Sequence, residues 1–227
     1  MRKNLIFFMS NFSFGGAGNS ISKLCINLSK KNYRVSVICI GKCGYNKVFR
    51  ENNISVYQLK NQKVIFSIFS IYSLLEKIFD KNCKNILISN IHYNNVILTM
   101  IAKKIRNLKI ILVERTPLEE LNIYFSRIDF LKKKIIKFLI NIIYPFSNIM
   151  IVNSIGIKNG FNKILRKKIK VIYPPSLDKI KRTEKIFLKK KNIRAVCFSR
   201  LSEEKNLECA IKSFQFLKEK NISLTIY

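Results

Sequence analysis

Leu5-Ile6-Phe7-Phe8-Met9-Ser10, then Asn11-Phe12-Ser13-Phe14-Gly15-Gly16-Ala17-Gly18, then Asn19-Ser20-Ile21-Ser22-Lys23-Leu24-Cys25-Ile26-Asn27-Leu28 is the stretch that decides the fold. Leu5–Ser10 is an apolar run of the kind a strand buried on both faces requires. The glycine-bearing loop Asn11–Gly18 follows. Ile21, Leu24, Cys25 and Leu28 then recur at helical spacing, and Val35–Ile40 is a second apolar, β-rich run. Strand, glycine loop, helix and strand in that order make a βαβ unit.

Downstream the alternation continues. Strands are expected at Val56–Leu59, Ile86–Ser89, Ile110–Val113, Ile149–Val152 and Val171–Tyr173. Helices are expected at Val64–Phe79, Asn95–Ile105, Phe130–Tyr144 (ended by Pro145) and Ile155–Leu165 (capped by Ser154). Strands alternating with helices predict an α/β domain with a mainly parallel, doubly covered sheet over residues 1–175. Residues 176–192 are Lys-rich, lack a period and read as a linker. In residues 193–227 a strand at Ala195–Ser199, a polar loop, a helical stripe (Leu207, Ala210, Ile211, Phe214, Leu217) and the start of a strand at Ser223–Tyr227 open a second βαβ unit.

Composition limits the function. The 227 residues are 48% hydrophobic, enough for a packed core and against disorder. The formal net charge of +30 favours polyanions, meaning nucleic acid, anionic lipid or phosphate-bearing substrates. No zinc-finger spacing or RNA-recognition motif accompanies it, so no specific nucleic-acid partner is expected. The six cysteines lack the spacing of a structural zinc site and read as free thiols of a cytoplasmic protein, with Cys25, Cys39, Cys197 and Cys209 in apolar periodic segments. The apolar run after Met1-Arg2-Lys3 is too short for a signal peptide. Ile135–Val152 is interrupted by Lys137, Asn141, Pro145 and Asn148, against the roughly 20 apolar residues of a membrane span.

Four places combine chemistry with position. Gly15-Gly16-Ala17-Gly18 lets a backbone approach an anion at a helix start, but it lacks the G-x-G-x-x-G spacing of a dinucleotide fold. A tight turn that merely needs glycine is the equally open alternative. In Ser199–Asn206, Arg200 leaves a strand and Lys205 stands at a helix start, where a cation opposes the helix dipole unless an anion compensates it. Pairing with Glu203 or Glu204 is the plain alternative. His92, the only histidine, and Glu114-Arg115-Thr116-Pro117 both follow strands, at the edge where parallel sheets bind ligands. A structural histidine and an internal ion pair are the alternatives there.

Taken in order, these blocks resemble family 4 of the GT-B glycosyltransferases, a large retaining group. The resemblance rests on Gly15-Gly16-Ala17, Ile88-Ser89-Asn90-Ile91-His92, Val113-Glu114-Arg115, Val152-Asn153-Ser154, Val171-Ile172-Tyr173-Pro174-Pro175, and above all Phe198-Ser199-Arg200-Leu201 with Lys205-Asn206-Leu207. Ser199 stands where the family usually has Gly. The resemblance implies a GT-B-like fold: one complete Rossmann-like N-terminal domain and the first βαβ portion of a second. It implies a nucleotide-sugar donor and a polysaccharide or lipid-linked acceptor in bacterial surface glycan synthesis, with no metal or other cofactor. Gly15, Gly16, Arg200 and Lys205 would meet the donor phosphates, Arg200 and Lys205 stabilising the leaving group. His92 would contact the transferred sugar or orient the acceptor, and Glu114 and Arg115 would bind acceptor. The family's later pair of glutamates is absent by Tyr227, so the chain is expected to be truncated and to turn over little alone. A cytoplasmic site is expected, peripheral on the inner face of the membrane. The alternative is a non-catalytic basic module on anionic membrane or a lipid-linked acceptor, motivated by the Val64–Phe79 helix and the basic segment Lys132–Lys137.

Overall fold

The computed structural model describes residues 3–12, 15–60, 63–173, 193–199, 201, 205–217 and 222–227. It divides into two units, Met1–Ser176 and Leu177–Tyr227. Unit one holds strands β1 (Lys3–Met9), β2 (Arg34–Ile40), β3 (Ser55–Leu59), β4 (Lys84–Asn90), β5 (Leu108–Glu114), β6 (Ile149–Val152) and β7 (Ile169–Val171). They form one seven-stranded sheet in the order β3-β2-β1-β4-β5-β6-β7, parallel throughout. The direction of winding reverses between β1 and β4, and such a switch point opens a crevice at the carboxyl ends of the strands.

The two-residue period of a strand divides the core. Leu5, Phe7 and Met9 enter one apolar layer, with Val35, Val37 and Cys39 of β2. This layer is covered by α1 (Gly16–Lys30) through Ile21 and Cys25 and by α2 (Asn46–Glu51) through Phe49. Ile6 and Phe8 enter the opposite layer, with Ile38 and Ile40. There α3 (Ile68–Ile78), α4 (His92–Lys104) and α5 (Arg127–Ile143) contribute Ile71, Leu75, Leu98, Ile101, Ile136 and Ile140. Beyond β4 the first layer thins: Ile111, Val113, Ile149 and Ile151 are only half-buried among the described residues.

Several elements depart from the sequence expectation. The helix expected from Val64 starts as a 3₁₀ turn, Val64–Ser67, before α3. The helix expected over Ile155–Leu165 breaks in two, α6 (Ile155–Gly160) and α7 (Lys163–Arg166), with Phe161 extended between them and buried in the core. Ser154 caps α6, as expected, and Asn162 caps α7. The loop expected between Ser89 and Asn95 is largely the first turn of α4. Cys43 is buried in the same layer as Cys25 and Cys39, whereas Cys209 is exposed, because no described residue of its helix is buried. All six thiols are free.

In unit two, β8 (Ile193–Cys197) pairs in parallel with β9 (Ile222–Ile226), and α8 (Leu207–Gln215) lies between them in sequence. Phe198 stacks on Tyr227 at a centroid distance of 5.1 Å.

Candidate functional site

The carboxyl ends of β1, β4 and β5 carry a concentration of polar side chains. Asn90 ends β4, and Ile91 follows it at φ 76°, ψ 138° as the N-cap of α4. A β-branched residue at positive φ is a strained backbone. That kink turns the chain directly from β4 into α4, and His92 becomes the first residue of the helix. Asn94 donates to the Asn90 carbonyl at 2.8 Å and approaches Ser10 Oγ at 3.5 Å, tying β4 to β1 at the switch point.

His92 and Glu114 face each other inside the layer, their side chains 4% and 0% exposed. His92 Nδ1 lies 3.0 Å from Glu114 Oε1, off the line of a hydrogen bond. The same oxygen accepts from Asn95 Nδ2 at 2.7 Å and from the Tyr144 hydroxyl. His92 Nε2 is 3.4 Å from Thr116 Oγ1. Burial and the neighbouring Glu114 carboxylate together push the Tyr144 hydroxyl well above the ordinary tyrosine range. Glu114, expected from the sequence to bind acceptor, is thus enclosed by Asn95, Tyr144 and His92 with its side chain 0% exposed. Tyr144 is the member of this cluster that sequence reading misses. It lies 30 residues from Glu114 and marks itself only as the end of an amphipathic helix.

Arg115 follows a different course. Its Nη2 reaches Ser20 Oγ of α1 at 3.3 Å, and Asn153 Nδ2 holds its backbone carbonyl at 3.2 Å. Burial lowers the guanidinium's pKa from its ordinary value. Among the described residues no carboxylate pairs with it, so a partly desolvated cation stands beside the first turns of α1.

The start of α1 is open. Gly15, its N-cap, has φ −175°, extended backbone that any residue adopts. A Cβ on Gly15 or Gly16 would meet nothing within 4 Å, so neither backbone strain nor internal packing demands glycine there among the described residues. Among the described residues no side chain caps this helix start, and no acidic residue lies in its first turn. Its N–H groups and positive dipole end therefore remain available to an anion.

Unit one thus brings His92 and Glu114 into contact and sets Arg115 against α1, the helix begun by Gly15 and Gly16. Lys205 belongs to unit two, two residues before α8 and exposed, followed by Asn206 at φ 46°. Arg200 lies outside the described residues. Among the described residues no group of three or more His, Cys, Asp or Glu side chains could hold a metal ion.

No protein-family model and no curated protein matches this chain. Solved structures do. Anabaena HepE in complex with UDP and glucose superposes with TM-score 0.67 at 16% identity, over 99% of this chain and 61% of HepE. A glycosyltransferase from Rickettsia africae gives TM-score 0.65 at 15% identity, over 100% of this chain and 60% of that one. The apo form of the lipopolysaccharide outer core galactosyltransferase WaaB gives 0.60 at 13%, over 99% and 68%. The fold is that of the GT-B glycosyltransferases, α/β with a Rossmann-like parallel sheet. The chain spans about three-fifths of the length of HepE.

Proposed function

We propose that this chain serves nucleotide-sugar-dependent glycosyl transfer, moving a sugar from a nucleotide-sugar donor to a polysaccharide or lipid-linked acceptor of the bacterial surface. Peripheral contact with anionic membrane belongs to the same reading. Unit one takes the acceptor side, where Arg115 meets an anionic or hydroxyl-rich group, while the Gly15–Gly16 start of α1 admits the donor phosphates. His92 orients the reacting sugar or acceptor, held in place by Glu114. Arg200 and Lys205 neutralise the donor diphosphate as it leaves, without a metal. Residues 1–175, 176–192 and 193–227 are then acceptor domain, linker and donor-side segment.

One observation supports this reading most: a half-desolvated Arg115 that has no carboxylate partner among the described residues, against a helix whose start no described side chain caps and whose Gly15 and Gly16 face open space. A partly desolvated cation without compensation is costly, and an anionic ligand supplies the missing charge. The test is equilibrium binding of inorganic pyrophosphate and UDP-glucose to the chain and to Arg115→Gln. The reading expects an affinity that falls roughly tenfold in the variant. Equal affinity for both proteins would overturn the phosphate assignment.

A further inference from the structure

We propose that the outer face of α5, with Tyr124 and Phe125 just before it, lies in the interface of an anionic lipid bilayer. This deepens the membrane contact named above and is independent of the sugar-transfer chemistry. Ile136 and Ile140 of α5 point into the core. A second apolar stripe, Ile128, Leu131, Ile135, Phe138 and Ile142, repeats every three or four residues and is exposed along its whole length, with Phe138 64% exposed. It runs for about 20 Å at the helical rise of 1.5 Å per residue. Phe125, 81% exposed, extends it at the amino end. Among the described residues the stripe lies outside the core, and a contiguous exposed apolar stripe of this kind marks a contact surface.

Charge decides the occupant. α5 carries Arg127, Lys132, Lys133, Lys134 and Lys137 against the single carboxylate Asp129, which Lys133 holds at 3.0 Å. Lys134 stands 5.7 Å from the Phe130 ring centroid and Lys133 5.7 Å from that of Phe125, so cations and aromatic faces are interleaved. A second copy would bring the same cations face to face, and the chain's net charge of +30 would oppose it. An anionic bilayer satisfies both features: acyl chains receive the stripe, and headgroups receive the lysines. α4 packs against α5 on this layer, and α3 packs against α4. Phe66, just before α3, and Phe69, in its first turn, are exposed, with Lys63 6.0 Å from the Phe66 ring, which gives that layer a second aromatic and basic edge.

The chain lacks tryptophan, so a single introduced indole reports its own surroundings. The test uses Phe138→Trp in the whole chain with phosphatidylcholine–phosphatidylglycerol vesicles whose acyl chains are brominated or not. Val48→Trp, on α2 across the sheet, is the control. The proposal expects blue-shifted emission and quenching by brominated chains for Phe138→Trp alone, and much weaker binding to phosphatidylcholine vesicles. Adding Leu131→Gln and Ile135→Gln keeps the charge and should weaken partitioning roughly thirtyfold. Unquenched emission from vesicle-bound Phe138→Trp protein would overturn it. So would equal quenching of the Val48→Trp control, or a concentration-dependent dimer that the two glutamines abolish. Insertion without sugar-nucleotide binding would leave this proposal standing and remove the transfer reading alone. Sugar-nucleotide binding without insertion would do the reverse.

Discussion

His92 Nδ1 lies 3.0 Å from Glu114 Oε1, with both side chains enclosed between β5, α4 and Tyr144. Glu114 Oε1 is also the shared acceptor of Asn95 and Tyr144. Glu114→Ala removes the buried acceptor that Asn95 and Tyr144 share, leaving them only the longer contacts to the Val113 and His92 carbonyls, and should cost about 3 kcal/mol in chemical denaturation. Glu114→Gln retains the shape and should cost about 1 kcal/mol. If Glu114 instead touched solvent or ligand alone, the two variants would denature alike.

The strained Ile91 sets up that geometry. At φ 76° and with a side chain 43% exposed, it loses little burial and sheds its strain when replaced by glycine. Ile91→Gly should raise stability by about 1 kcal/mol, read from the urea midpoint. Under the proposed function it should also slow turnover, because the His92 backbone is freed. An unchanged or lowered midpoint would show that the kink is not strained.

Gly16 gives the opposite pairing of effects to a structural glycine. A methyl group there meets only open space, at a helix start where alanine is the better former. Gly16→Ala should leave thermal stability unchanged or raise it by up to about 1 kcal/mol, and should weaken pyrophosphate binding roughly tenfold. A destabilised variant would mean that the turn itself requires glycine.

Tyr144 supplies a pH signature. Its hydroxyl is held well above the ordinary value of 10.0 by burial and by Glu114, whereas in the unfolded chain it ionises near that value. Above about pH 10 the unfolded state therefore binds fewer protons than the folded one, so stability is full below that pH and falls as pH rises beyond it. Phenolate absorbance should show one of the nine tyrosines titrating only with unfolding, and Tyr144→Phe should remove that component. A full titration of all tyrosines in the folded chain would contradict the buried cluster.

The two stripes of α5 should respond differently to mutation. Ile140→Ala opens the core and should cost about 2–5 kcal/mol, whereas Phe138→Ser should stay within about 0.5 kcal/mol. Differential scanning calorimetry separates them. A large loss in Phe138→Ser would place that ring in the core.

The strands were legible because parallel strands buried on both faces need continuous apolar runs, and Leu5–Met9 and Val35–Ile40 have no other use for theirs. α2 was not, since it is a six-residue helix with one buried residue, Phe49, and so has no period to read. The break at Phe161 has no signature in the sequence, because its buried ring keeps the apolar count of a helix while its backbone is extended. At the site, His92 and Arg115 were visible from their places after strands. What divides Arg115 from Glu114 is the alternation of adjacent side chains at the end of β5, one toward α1 and one into the layer under α4. Tyr144 joins through tertiary contact alone, which no local spacing encodes.

The central claim is that Arg115 and the Gly15–Gly16 start of α1 form one anion-binding corner. Amide NMR of the chain during titration with UDP-glucose tests it most directly. The account predicts that the Gly15, Gly16, Ser20 and Arg115 amides shift together and that Arg115→Gln suppresses all four responses. Shifts confined to other residues, or the same four shifts persisting in Arg115→Gln, would contradict it.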